Sequence, residues 1–218
     1  MNKVIIFGMG DNAELAKFYF ENDSEYEVIA FTVNKEFLNQ EKFCELPVVE
    51  WEIIEKYYTP EEYVLFIAVG YGNMNKVREE KYIEGKQKGY TFANYISTKA
   101  SIFTKDIGEN NFILEDNTIQ PFVKIGNNNV IWSGNHIGHH GTIGDHNFIT
   151  SQVTISGRVI IENNCFIGVN STVRDHIKIR EFTLIGAGAW ISKDTEKYGV
   201  YTIPSAKKLD EKSLDLKI

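Results

Sequence analysis

From residue 107 to residue 191 an aliphatic side chain returns at every sixth position. Isoleucine occupies 107, 113, 119, 125, 131, 137, 143, 149, 155, 161, 167, 179, 185 and 191, and Val173 fills the one gap, so 15 hexads run without a break. A period of six fits neither the 3.6 of an amphipathic helix nor the alternation of an isolated strand. It fits a chain that turns one corner per repeat and stacks three repeats into a triangular coil of parallel strands, with the aliphatic side chains along its axis. The hexads predict about five coils, a prism of ~24 Å at ~4.8 Å per strand. Residues eighteen apart then share a corner. The position after the aliphatic is glycine at 108, 126, 138, 144, 168 and 186. That suits a corner where a Cβ would crowd a neighbour or where φ is positive.

The chain before residue 96 has a different rhythm. Short apolar runs, Val4–Phe7, Val28–Phe31, Pro47–Val49 and Val64–Val69, alternate with helical stretches over Asn12–Glu21, Trp51–Tyr58 and Met74–Lys88. This is the pattern of a parallel sheet with helical crossovers, a small Rossmann-like α/β unit. The charges of the last helix, among them Glu79, Glu80 and Lys81, read as a solvated face.

Composition narrows the function. With 23 Lys and Arg against 30 Asp and Glu, the net charge of −7 leaves no general basic footprint for a nucleic-acid backbone. No apolar run approaches the ~18 residues that span a bilayer, so no membrane insertion is expected and the protein reads as cytoplasmic. Cys44 and Cys165 are too few for a disulfide framework or a cysteine zinc site and read as buried thiols.

Four of the five histidines, His136, His139, His140 and His146, fall close together in the hexads. His139 and His140 take the third and fourth hexad positions, where side chains reach outward from a corner. A metal reading is disfavoured, because neighbouring rings at a corner are expected to point apart and no cysteine pair or carboxylate set completes a site. Stacking at eighteen residues places His140, Arg158 and His176 in one column. Three such groups ~5 Å apart repel unless an anion or carboxylate joins them; the column contacts a donor phosphate, depresses the histidine pKa values, or is simply solvated.

The hexads, together with Ile5–Asn12 (IIFGMGDN), Ile137–Gly144 (IGHHGTIG) and Ile203–Lys207 (IPSAK), resemble the hexapeptide-repeat acyltransferases with a left-handed β-helix. Within them the chain is similar to the group that places a small nucleotide-binding domain first: nucleotide-amino-sugar N-acetyltransferases and the sialic acid O-acetyltransferase type. The resemblance implies a sugar-nucleotide domain at 1–96, a left-handed β-helix at 97–195 and a tail at 196–218. It implies acetyl-CoA as co-substrate, bound along the β-helix between subunits of a homotrimer, and a role in surface glycan synthesis such as lipopolysaccharide or O-antigen. A triangular prism with flat faces suits a threefold axis.

His139 aligns with the histidine that serves the family as general base, and an imidazole of pKa ~6.5 suits a proton transfer near neutral pH. Relatives place an acid directly after it, where this chain has His140. Either the base is weaker, or a carboxylate arrives from elsewhere. Phe148 stands where relatives often have a histidine near the acetyl carbonyl, and His146 is a candidate to replace it. The resemblance carries acyl-CoA contacts to Gly157, Val169 and Ala187, and Lys207 is placed to meet donor phosphates. In the first domain Gly8, Gly10, Asp11 and Asn12 follow a strand and precede a helix, a loop suited to a diphosphate. Asn34 ends the second strand, where an acidic residue would favour an NAD ribose, and its presence argues against a dehydrogenase. Tyr71 and Asn73 follow the fourth predicted strand, at the edge where ligands of open α/β sheets collect. The leading expectation is N-acetylation of a dTDP- or UDP-linked amino deoxysugar by direct attack of the amine. The alternatives are O-acetylation of a sugar and a non-catalytic sugar-nucleotide binding protein.

Overall fold

The computed structural model describes residues 2–208, 210 and 214. The first domain is a five-stranded sheet of β1 (Asn2–Phe7), β2 (Tyr26–Val33), β3 (Lys42–Phe43), β4 (Leu46–Glu50) and β5 (Val64–Ile67), in the order β3-β4-β2-β1-β5. All neighbours are parallel except β3 and β4. Helices α1 (Asp11–Asp23) and α2 (Lys76–Gln87) fall where the apolar spacing predicts them. The third expected helix is a short 3-10 segment, Trp51–Lys56, kinked at Ile53.

Beyond it the chain winds as a left-handed parallel β-helix. Every hexad from Ile113 to Ile191 contributes a two-residue strand with one side chain inward, and residues eighteen apart pair in register, as Val130 does with Phe148 and His136 with Thr154. The inward residues Ile113 to Ile191 are at most 5% exposed and form one continuous cluster. β-branched side chains suit this role, packing rigidly on a pleated wall. The helix is longer than the strict hexads foretell. One face carries seven strands, the second six, and the third four plus an isolated Ile107–Ile125 bridge. The first turn is one residue short, pairing Ile96 with Ile113. A final strand, Val200–Tyr201, returns onto Leu184–Ile185 after the period has lapsed.

Positive φ falls two positions beyond the repeat glycines, at every sixth residue from Asn110, with φ of 55° at Asn110 and His140 and 66° at Phe122. Asparagine tolerates this region best and recurs there at 110, 128, 164 and 170. The glycines serve close approach instead. A Cβ on Gly126 would lie 2.7 Å from the carbonyl oxygen of Gly144, and one on Gly138 2.6 Å from the amide of Gly157. Buried asparagines tie the coils together: Asn111 accepts from the Asn129 amide (3.0 Å), Asn129 from Asn147 (2.8 Å) and Asn147 from Cys165 (2.8 Å).

One face differs from the other two. Its outward residues are Phe112, Val130, Phe148, Phe166 and Leu184, whereas the six-stranded face shows Thr118, His136, Thr154 and Thr172. The apolar face carries the first domain. Phe112, Val130 and Phe148 share a core with Val4, Ile6, Phe20, Phe31 and Phe66. At one edge of this seam Asp23 accepts hydrogen bonds from Tyr95 (2.8 Å), Ser97 (3.0 Å) and Thr98, which hold its carboxyl at about 2.

Candidate functional site

The corner at His139 and His140 presents the clearest chemistry in the molecule. Both rings are exposed, and their Nδ1 atoms lie 3.0 Å apart. The rings therefore meet, contrary to the expectation that they diverge, and a single hydrogen must lie between the two nitrogens. The αL geometry at His140 (φ 55°) turns its ring back onto its neighbour and against Phe122, with ring centroids 4.7 Å apart. The amide of His139 donates to Oε1 of Gln120 (2.9 Å), fixing the strand end that carries it.

Gly157 lies one coil beyond His139. A Cβ there would stand 2.9 Å from Cε1 and 3.0 Å from Nε2 of His139. The imidazole thus rests over bare backbone, and any side chain at 157 would displace it. Val169 and Ala187, the other two expected acyl-CoA contacts, are exposed one above the other at a second corner. Thr202 and Ile203 pass over the glycines on either side of Ala187, 3.0 Å and 3.1 Å from where Cβ atoms of Gly186 and Gly188 would lie. Lys207 is exposed in the segment that follows.

The predicted column is real in its backbone: His140, Arg158 and His176 all adopt φ of 55–60° at one corner. A carboxylate joins it. Oδ2 of Asp175 lies 2.7 Å from Nδ1 of His176, and that hydrogen bond holds the Asp175 carboxyl below its ordinary range.

Two sequence expectations are corrected. His146 belongs to a different corner from His139 and is 8% exposed, wedged beneath α2. Its Nδ1 meets Nδ2 of Asn128 at 2.8 Å, and burial pushes its pKa below the ordinary value, partly offset by Glu79 and Asp145. It is sealed in the domain seam and does not reach the His139 corner. Phe148 is likewise core: 4% exposed, stacked on Phe166 at 5.8 Å and edge-on to Tyr71 at 5.0 Å. Both lie where the first domain docks, so their side chains serve packing.

The expected acceptor-side residues do come together. Gly8 has φ 128° and lies against Ala68, its position for a Cβ being 3.2 Å from the Ala68 carbonyl. Gly10 caps α1, with Asp11 exposed in its first turn. Asn12 reaches the loop after β5, its Nδ2 3.0 Å from where a Cβ of Gly70 would stand. Tyr71 and Asn73 in that loop are exposed, and the Tyr71 ring sits 5.0 Å from Phe166 on the apolar face. Asn34 follows β2 directly and donates to Oε1 of Glu52 (2.8 Å) while Oε2 accepts from the Lys35 amide (3.0 Å). An acid therefore does stand at the end of β2, supplied from the 3-10 segment. Burial opposes its charge, but these two hydrogen bonds keep its carboxyl below the ordinary range.

Sequence reasoning missed Arg78. It is fully buried, and its guanidinium bonds backbone carbonyls from both domains. Cys165 is buried against the Arg180 carbonyl, its thiol pushed up to about 12, so it is no nucleophile at neutral pH. Among the described residues no three His, Cys, Asp or Glu side chains converge to hold a metal, and no helix is long and apolar enough to cross a membrane.

The family model of the bacterial transferase hexapeptide (six repeats) matches residues 106–139. The chain carries that repeat. Its whole architecture is similar to the acetyltransferase domain of PglB from Neisseria gonorrhoeae, with a TM-score of 0.80 and 18% identity over 96% of this chain and 100% of that one. It is similar to a mutant of perosamine N-acetyltransferase from Caulobacter crescentus in complex with CoA and GDP-perosamine (TM-score 0.80, 19% identity, 96% and 98% covered). It also resembles WeeI from Acinetobacter baumannii (TM-score 0.74, 18% identity, 93% and 96% covered). Among curated proteins none matches this chain by sequence. The shared hexapeptide-repeat fold, with its N-terminal α/β domain, spans nearly the full length of each pair.

Proposed function

We propose that this chain is an acetyl-CoA-dependent N-acetyltransferase acting on a nucleotide-linked amino sugar, with His139 as general base. The observation that carries the reading is the exposed His139–His140 pair over Gly157, on a fold shared end to end with a protein solved with CoA and GDP-perosamine. The sugar amine attacks the thioester carbonyl, His139 takes the amine proton, and the CoA thiolate leaves. No covalent enzyme intermediate is needed.

The pair accommodates the tautomer that a general base requires. With the shared hydrogen on Nδ1 of His139, donated to Nδ1 of His140, the Nε2 lone pair of His139 is free to act as base. His140 replaces the usual acid: it orients the ring and accepts the hydrogen bond of the imidazolium that forms, without supplying a negative charge. An amine nucleophile tolerates this weaker support better than a hydroxyl, because its proton is lost only as the new bond forms. The loops at Gly8–Asn12 and Gly70–Asn73 are the acceptor site, and Gly157, Val169, Ala187 and Lys207 line the path of acetyl-CoA.

Assembly belongs to this reading. Within one chain the first domain covers the apolar face, and the His139 corner is the corner opposite that face. Base and acceptor loops of one copy thus look away from each other, which supports a homotrimer in which neighbouring copies complete each site.

The test is release of free CoA thiol from acetyl-CoA with a panel of GDP-, dTDP- and UDP-linked amino deoxysugars, their hydroxyl counterparts and free sialic acid. Release with an amino-sugar nucleotide is expected. Release with hydroxyl compounds alone would make the enzyme an O-acetyltransferase, and binding of both ligand classes without turnover would make it a non-catalytic binding protein.

A further inference from the structure

Among the described residues Arg78 is the one lysine, arginine, aspartate or glutamate that is buried, and nothing in the proposed chemistry uses it. It is 0% exposed, and among the described residues no carboxylate pairs with it. Five backbone carbonyls surround it instead. Three belong to the β-helix: Asn128 (3.2 Å), His146 (2.9 Å) and Asn147 (3.0 Å). Two belong to the chain leaving β5: Val69 (3.5 Å) and Gly70 (2.9 Å). The side-chain oxygen of Asn75 adds a sixth contact at 3.1 Å. Burial brings the guanidinium pKa down to about 9, which leaves it charged at neutral pH. A buried charge without a counterion is a poor source of stability, and a well-packed apolar side chain generally does as well. A planar fork of five donors does what an apolar side chain does not: it fixes several carbonyls at set positions.

What it fixes is the start of the segment bearing Tyr71 and Asn73. That segment ends in three successive residues in the left-handed region, Asn73 (φ 50°), Met74 (φ 50°) and Asn75 (φ 68°). Such a run of non-glycine residues is strained and persists only where its surroundings hold it. The hold is at both ends. Gly70 is gripped by Arg78, and Asn75, itself 0% exposed, accepts from Arg78 and donates through Nδ2 to the Cys165 carbonyl at 3.1 Å. Tyr71 and Asn73 lie exposed between the two anchors.

We infer that Arg78, with Asn75, is a clamp that holds the Gly70–Met74 loop in a strained shape against the β-helix and so sets the affinity for the sugar-nucleotide acceptor. Arg78 touches no substrate; it is a positioning residue. This rests on the acceptor-site reading above, and the experiment separates the two.

The full-length protein is compared with Arg78→Lys, which keeps the charge but not the fork, and with Asn75→Gly, which tolerates the φ of 68° while removing the second anchor. Hydrogen exchange of the 71–75 amides reads the clamp itself. Both variants should exchange there at least ~10-fold faster, while the amides of the Ile113–Ile191 strands keep their protection. Steady-state kinetics read its consequence: a rise of ~10-fold or more in KM for the amino-sugar nucleotide, with KM for acetyl-CoA unchanged and kcat within a few-fold. Unchanged exchange at 71–75 in both variants would overturn the clamp. Faster exchange with an unchanged acceptor KM would overturn its link to the acceptor. Equal loss of both substrates in Asn75→Gly, in which Arg78 keeps its carbonyl partners on the β-helix, would show a general structural role and also overturn it. A wild-type protein without transferase activity would defeat the acceptor-site reading while the exchange data still judge the clamp.

Discussion

At the scale of single residues, the site depends on what is missing above a ring. His139 lies over Gly157 because there is no Cβ to meet it; the nearest approach would be 2.9 Å. A methyl group at that position pushes the imidazole off its line, and misplacing a catalytic group by about 1 Å costs ~100-fold in rate. Gly157→Ala should therefore lower kcat by ~10- to 100-fold with the acceptor KM preserved, measured by thiol release under saturating acetyl-CoA. A variant with wild-type kcat would show that the ring position is not set by Gly157. The His139–His140 motif was legible from the chain alone, since the hexad phase puts both at an outward corner. Their contact was not. It follows from the αL backbone at His140, and nothing in the spacing distinguishes rings that meet from rings that diverge.

At the scale of elements, the β-helix is legible in the hexads almost completely, because one buried aliphatic side chain per hexad imposes the period. Its ends escaped notice for the same reason. The first turn drops one residue between Ile102 and Ile107, and the last strand arrives ten residues after Ile191, so neither keeps the phase. The docking face was present in the sequence as an eighteen-residue recurrence of apolar outward positions, Phe112, Val130, Phe148, Phe166 and Leu184. Without that second period His146 and Phe148 look like site residues, and α2 looks solvated although Arg78 points into the seam. The column Asn110, Asn128, His146 and Asn164 runs along that seam, with Asn110 donating to Asn128 at 2.7 Å and Asn128 meeting His146 at 2.8 Å. Burial holds His146 neutral with a lowered pKa. The unfolded chain binds this proton near pH ~6.5 while the folded chain resists it, so stability falls as pH drops below that value and is unaffected above it. His146→Asn places in the column the residue its neighbours already use. It should fold normally and lose less stability than wild type between pH 7.5 and 5, read from urea midpoints; parallel losses in the two proteins would contradict the assignment.

At the scale of the whole molecule, two modules meet along one apolar face. A rigid prism displays a histidine pair at one corner and tapers into a tail that passes over Ala187, while an α/β domain fixed to the opposite face offers two loops at the ends of β1 and β5. The seam is rigid by construction: a shared aromatic core, Asp23 accepting from Tyr95, Ser97 and Thr98, and Arg78 tying five carbonyls across it. The loops are therefore held on the side opposite the His139 corner. On the proposed reading, His139 removes the proton of a sugar amine as it attacks acetyl-CoA. The direct measurement is transfer by His139→Ala at saturating acetyl-CoA and amino-sugar nucleotide, with binding of both ligands measured in parallel. Loss of a general base predicts a fall of ~100- to 10,000-fold in kcat with both affinities retained, whereas turnover within a few-fold of wild type would contradict the account.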